Sequence, residues 1–158
     1  MNLQISSRLA VLALLELAAN PDRQYSVADI GRKYRMSSHH LAKVMHALGR
    51  AGLVRSMRGA GGGFQFSGNA RRTTLLDVIE LFERLGSAGG GSQAGETTVE
   101  GRALGQVLGE IDDIARATLG SITLATMLKL SDRHRSSGAR PARRPVSATA
   151  TGLRPVDE

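Results

Sequence analysis

His39, Lys43, His46 and Arg50 recur at the spacing of one face of a helix. All four can donate hydrogen bonds and two are permanently cationic, so the chemistry they offer together is recognition of an anion. The opposite face is apolar, because Leu41, Val44, Met45 and Leu48 fall at i, i+3, i+4 and i+7. Ser37, Ser38, His39 and His40 gather hydroxyl and imidazole groups at the start of the same helix. In a DNA-recognition helix, that end is where side chains reach base edges. A solvated amphipathic surface helix shares the pattern, and this stretch alone does not separate the two.

The segment just beyond the helix separates them. Arg55 and Arg58 flank a run, Gly59-Ala60-Gly61-Gly62-Gly63, that has almost no side chains. Such a tip brings backbone close to a surface, and arginine beside it gains from the negative potential of a narrow minor groove. A hairpin with solvated arginines is the plainer alternative. Glycine-rich loops also cradle phosphates in nucleotide enzymes, but no Lys-Ser/Thr comes after these glycines and no helix starts there.

Other chemistry is sparse. The sequence has no cysteine, which excludes disulfides, thiolate metal sites and thiol catalysis. No motif-placed Ser–His pair or cluster of metal-bearing carboxylates is present, so no catalytic residue and no enzyme activity are expected. His39 and His46 share a face while His40 points elsewhere, and no carboxylate accompanies them. A histidine metal site is therefore not expected, and His134 reads as a solvated residue of the tail.

These groups must be positioned by short helices and a hairpin. Residues 3–19 read as a helix that is apolar on most sides, ended by Asn20-Pro21-Asp22. Glu16 interrupts its apolar run, and nothing approaches the roughly 20 apolar residues of a membrane span. Ser26-Val27-Ala28-Asp29 is a capping box opening a second helix that buries Val27, Ile30 and Tyr34. Arg35-Met36-Ser37 turns into the helix described above, capped by Ser37 or Ser38 and closed by Gly52. Residues 53–58 and 64–66 form the hairpin strands. Residues 73–84 form a helix with a Thr74-to-Asp77 capping box, and the Gly/Ser/Thr-rich residues 86–101 read as a flexible loop.

A helix from Arg102 to Leu119 carries an apolar stripe, with Leu104, Ile111 and Thr118 seven apart, Val107 and Ile114 between them and Leu108 widening it. It fits either an intramolecular core contact or a subunit interface. A short helix at 123–130 comes next. Residues 131–158, rich in Arg, Ser, Pro and Ala, read as a disordered basic tail.

Charge supports a polyanionic partner. The 158 residues carry a net charge of +7 and a pI near 11.0. Residues 1–85 hold a net +6, residues 86–130 a net −2 and residues 131–158 a net +3. Charge alone does not distinguish nucleic acid from a membrane surface, but here it coincides with the helix-turn-helix and the hairpin.

The sequence resembles the Rrf2 family of bacterial winged-helix regulators, and within it the nitric-oxide-sensing repressor branch. The resembling stretches are Leu9 to Leu17, Ser37 to Met45, Ala51-Gly52-Leu53-Val54, Arg58 to Phe64, Leu76-Asp77-Val78-Ile79 and Ile122-Thr123-Leu124, spread over residues 1–130. The resemblance implies a homodimer built on the long helix, reading a palindromic operator, with Ser37, His39, Lys43 and Arg58 at DNA-contacting positions. Many members carry an acidic residue where this chain has Ala42. Cluster-binding members hold an iron–sulfur centre with three loop cysteines, whose positions fall on or near Gly90, Gly95 and Gly101. Arg8 stands where some relatives supply a further ligand. Iron–sulfur clusters need thiolate-rich ligation, so no cluster, metal or other cofactor is expected.

The combined expectation is a mainly α winged helix-turn-helix domain at 1–85, the loop at 86–101, a dimerisation helix and terminal helix at 102–130, and the tail at 131–158. The expected partners are double-stranded promoter DNA and a second copy, with no membrane, in the cytoplasm. Base contacts are assigned to Ser37, His39, His40 and Lys43, wing contacts to Arg55 and Arg58 around Gly59 and Gly61, and phosphate contacts to Ser38 and Arg50. Dimer contacts are assigned to Leu104, Val107, Leu108, Ile111, Ile114 and Thr118. Two alternatives stand beside this: a regulator answering a small organic effector held between the long helix and the DNA-binding domain, and a winged-helix adaptor for an acidic protein.

Overall fold

The computed structural model describes residues 3–59, 61–83 and 97–138. In chain order the elements are α1 (Ile5–Ala19), α2 (Val27–Tyr34), α3 (Ser38–Arg50), β1 (Val54–Met57), β2 (Gly63–Phe66), α4 (Leu75–Ile79), α5 (Val99–Ser121) and α6 (Leu124–Gly138). The core is aliphatic. Leu9, Ala10, Ala13, Leu14 and Leu17 of α1 are buried with Ile30 of α2 and Leu41, Val44, Met45 and Leu48 of α3. As its all-round apolar sequence requires, α1 is covered on several sides, by α3, α4, α6 and β2.

Local chemistry sets the helix ends. The Ser26 Oγ accepts from the Asp29 N–H at 3.1 Å while the Asp29 carboxylate accepts from the Ser26 hydroxyl and amide. Those hydrogen bonds hold the Asp29 carboxyl below its ordinary range. Arg35 ends α2 in the left-handed region, at φ 54°. The end of α3 is a Schellman motif. The Leu53 N–H donates to the Leu48 carbonyl and the Gly52 N–H to the Gly49 carbonyl, with Gly52 at φ +73°.

β1 and β2 pair antiparallel with Val54 opposite Phe66, Arg55 opposite Gln65, Ser56 opposite Phe64 and Met57 opposite Gly63. The hairpin also has a third partner that the sequence reading lacked. Tyr25, just before α2, exchanges two backbone hydrogen bonds with Phe64 at 3.0 and 2.9 Å. Residue 63 must be glycine for that approach, since a Cβ there would stand 2.5 Å from the Tyr25 carbonyl oxygen.

Several expected boundaries move. The first helix begins at Ile5 rather than residue 3, and the strands span 54–57 and 63–66 rather than 53–58 and 64–66. α4 ends at Ile79 rather than 84, because Leu81 and Phe82 bond back to the carbonyls three residues earlier, in a tighter turn. α5 starts at Val99, three residues before the expected start, because the Thr98 hydroxyl accepts from the Gly101 N–H at 2.9 Å. The loop expected at 86–101 therefore ends by residue 98, and residues 84–96 lie outside the described residues. The larger correction concerns the tail. Residues 131–138 continue α6 as helix, tied by Ser131 and Ser136 hydroxyls to carbonyls four residues back and by an Asp132–Arg135 pair. Residues 139–158 lie outside the description.

The helix after α5 is also not an appendage. Leu124 is fully buried in the core, and the Leu75 and Leu124 amides donate to the Ile122 and Thr73 carbonyls at 2.8 and 2.9 Å.

Candidate nucleic-acid interface

The buried face of α3 fixes what its other face presents. With Leu41, Val44, Met45 and Leu48 in the core, His39, Lys43, His46 and Arg50 all stand exposed. Ser37, Ser38 and His39 are exposed at the start of the helix. Ser37 occupies the N-cap position without making a side-chain cap, so its hydroxyl is not engaged by the helix end.

His40 behaves differently from its neighbours. It is half-buried, and its Nε2 lies 3.1 Å from the Ser6 Oγ of α1. The N-cap residue of α1, Gln4, also donates its amide to the Glu83 carboxylate at 3.2 Å. Sequence reasoning placed His40 with the base readers because of its position. Its tertiary contact is with α1.

The hairpin stands beside the end of α3. Arg55 donates from Nε and Nη2 to the Gln65 Oε1 at 3.1 and 2.8 Å, so its guanidinium is held by its cross-strand partner. Gln65 is itself buried, and sequence reasoning missed it. The period-2 pattern of so short a strand carried no sign that a polar side chain would turn inward. Arg58 is exposed at the base of the tip, where Gly59 and Gly61 take φ of +116° and +78°. Among the described residues, Lys43, Arg50, Arg55 and Arg58 take part in no ion pair. The positive charge of this surface is available to an outside anion.

The stripe on α5 has no cover within the described chain. No residue of α5 is buried, and Leu104, Val107, Leu108, Ile111 and Ile114 are all exposed, the last at 68%. Thr118 is also exposed, its hydroxyl donating to the Ile114 carbonyl at 2.8 Å. The intramolecular alternative for this stripe is not what the described chain shows.

A polar cavity of about 510 Å³ lies between the end of α1, the segment that leads into α2, the last turn of α2 and α6, lined by Glu16, Arg23, Lys33, Asp132 and Arg135 among others. It borders α6 rather than the long helix, where the effector alternative placed a pocket. Beside it the Tyr34 hydroxyl donates to Glu16, which also binds the Lys33 ammonium. Burial, with the Glu16 carboxylate adjacent, pushes the Tyr34 hydroxyl up to about 12.

A basic recognition-helix face beside an arginine-flanked wing is the geometry of a winged helix-turn-helix, and similarity to known proteins agrees with it. The family model Rrf2, described as an iron-dependent transcriptional regulator, matches residues 3–130. The chain belongs to the Rrf2 family. It is 50% identical over 135 residues to the HTH-type transcriptional regulator named BadM of Rhodopseudomonas palustris, spanning 85% of this chain and 86% of that protein. It is 30% identical over 155 residues to the regulator IscR of Cronobacter sakazakii, spanning 90% and 93%. Among solved structures, CymR, the global cysteine regulator of B. subtilis, superposes with a TM-score of 0.68 at 23% identity, over 82% of this chain and 98% of that one. T. potens IscR superposes with a TM-score of 0.61 at 27% identity, over 91% and 94%.

Iron would need ligands, and the donor set of this Rrf2 chain does not fit a thiolate-bound cluster. The sequence has no cysteine. Of the expected cluster positions, 90 and 95 lie outside the described residues and Gly101 lies in the first turn of α5. Among the described residues no three His, Cys, Asp or Glu side chains gather as a metal site. Nor is any described helix long and apolar enough to cross a membrane.

Proposed function

We propose that this Rrf2 chain is a homodimeric, sequence-specific DNA-binding regulator that represses by occupying a palindromic promoter operator in the cytoplasm, without catalysis. The observation that carries this is the continuous cationic surface from α3 to the wing, which no carboxylate of the described chain neutralises. Ser37, His39 and Lys43 read base edges in the major groove, Ser38 and Arg50 meet phosphates, and Arg55 and Arg58 make the wing contacts, with Arg58 reaching the flanking groove beside the Gly59–Gly61 tip. His40 contributes by holding the start of α3 to Ser6. The exposed stripe Leu104, Val107, Leu108, Ile111, Ile114 and Thr118 meets its copy across the dimer axis, which matches operator symmetry.

The regulator works without an iron–sulfur cluster, because it has no thiolate to hold one. Iron and acid-labile sulfide analysis after anaerobic purification tests this, and stoichiometric iron would refute it. For the DNA reading, binding to the chain's own upstream region should be sequence-selective and fall steeply with salt. Salt-insensitive association with an acidic protein instead would favour the adaptor.

One observation favours effector control as a second reading: the charged cavity joins α2 of the helix-turn-helix to α6. A metabolite that raises the melting temperature of the protein, but not of Arg23→Ala, would support it.

A further inference from the structure

Between the last turn of α3 and the hairpin lies a recess of about 490 Å³. Its floor is apolar, from Met45, Val54 and Phe64, and its rim carries His46, Arg50, Arg55 and Ser56. Among the described residues no carboxylate lines it. Gly49 also faces the recess and leaves it open, since a Cβ built there meets only the Val54 carbonyl oxygen, at 3.9 Å.

Arg55 enters this rim pre-oriented. Buried Gln65 accepts from both Nε and Nη2, which fixes the guanidinium plane while leaving the remaining N–H groups for another acceptor. A fixed guanidinium loses less side-chain freedom on meeting an anion than a free one does.

We infer that this recess seats one backbone phosphate of duplex DNA, bound by Arg50, Arg55, His46 and Ser56, and that Gln65 is a positioning residue for Arg55. The inference rests on the DNA-binding reading above and adds to it a contact shared by helix and wing. One phosphate held by both elements fixes the wing's angle to α3, and so determines where Arg58 meets the neighbouring groove. The contact is sequence-independent, so it sets register and carries no base information.

The test is the salt dependence of binding to the chain's own promoter fragment and to a scrambled duplex of equal length. Loss of one phosphate contact on B-DNA makes the slope of log K against log salt less negative by roughly 0.9, so loss of the seat from both subunits of the dimer does so by roughly 1.8. Arg50→Ala and Arg55→Ala should each show a change of that size on both duplexes. Gln65→Met, which changes no charge and little volume, should make the slope less steep in the same way. Adding it to Arg55→Ala should change nothing more. Gly49→Glu, at an exposed position with room for a Cβ, should weaken binding to both duplexes while the thermal melt stays cooperative.

Unchanged slopes in Arg50→Ala and Arg55→Ala would overturn the seat. A Gln65→Met protein that melts normally and binds like the parent would overturn the positioning role. If the parent itself failed to bind its promoter, the DNA-binding reading would fall with the seat; parental binding with indifferent variants removes the seat alone.

Discussion

At residue 40, helix periodicity and tertiary contact act on one side chain, and they assign it different work. By sequence His40 belongs with Ser37, Ser38 and His39 at the end of the helix where bases are read. By contact it is tied to Ser6, 34 residues away. A hydrogen bond contributes about 1 kcal/mol, so if His40 acts through Ser6, Ser6→Ala and His40→Ala should each weaken operator binding by about fivefold. The double variant should lose no more than either single one. A larger loss in His40→Ala, confined to one base position of the operator, would return His40 to the readers. Arg58→Ala, by contrast, should weaken operator binding with the melting temperature unchanged, and unaltered affinity would remove the wing tip from the interface. Tyr34 gives a pH signature. Its hydroxyl titrates higher in the folded chain than in the unfolded one, so its contribution is complete below the ordinary tyrosine range near pH 10 and is lost as pH rises towards 12. Alkaline unfolding followed in parallel for Tyr34→Phe should show that part of the pH dependence missing.

The elements differ in how much of their geometry is local. α2, α3 and the start of α4 were legible because caps and apolar spacing lie within a few residues: Ser26 with Asp29, Thr74 with Asp77, Gly52 after Arg50. Gly52→Ala tests that local control. Placing a Cβ at φ +73° costs about 1 kcal/mol, so the urea midpoint should fall with an unchanged m-value. The hairpin was legible as a hairpin, through its glycines and strand-forming flanks. Its third partner was not, since the Tyr25–Phe64 bridge joins residues 39 apart and leaves no pattern in either segment. The extension of α6 through residues 131–138 escaped for a different reason. Its Ser and Arg residues carry no apolar period; the Ser131 and Ser136 hydroxyls bond back to carbonyls four residues earlier, and Asp132 pairs with Arg135 one turn on.

At the scale of the whole molecule, the exposed face of α5 makes the strongest demand. A 23-residue helix spans roughly 34 Å, and contiguous exposed apolar groups of this kind mark an interaction surface. Ile111→Glu should therefore convert a two-chain species to one chain in sedimentation, with operator affinity falling alongside. An unchanged mass would place the dimer contact elsewhere. The mainly helical class, the helix with its apolar and cationic faces, the glycine-tipped hairpin and the absence of thiolate ligands follow from the amino-acid sequence, because each is written in composition or in spacing of a few residues. Tertiary structure alone decided that His40 turns to Ser6, that Gln65 holds Arg55, that Leu124 closes the core and that the α5 stripe is uncovered. Those outcomes depend on which distant segments meet when the chain buries its leucines, and that meeting is a property of the packed molecule.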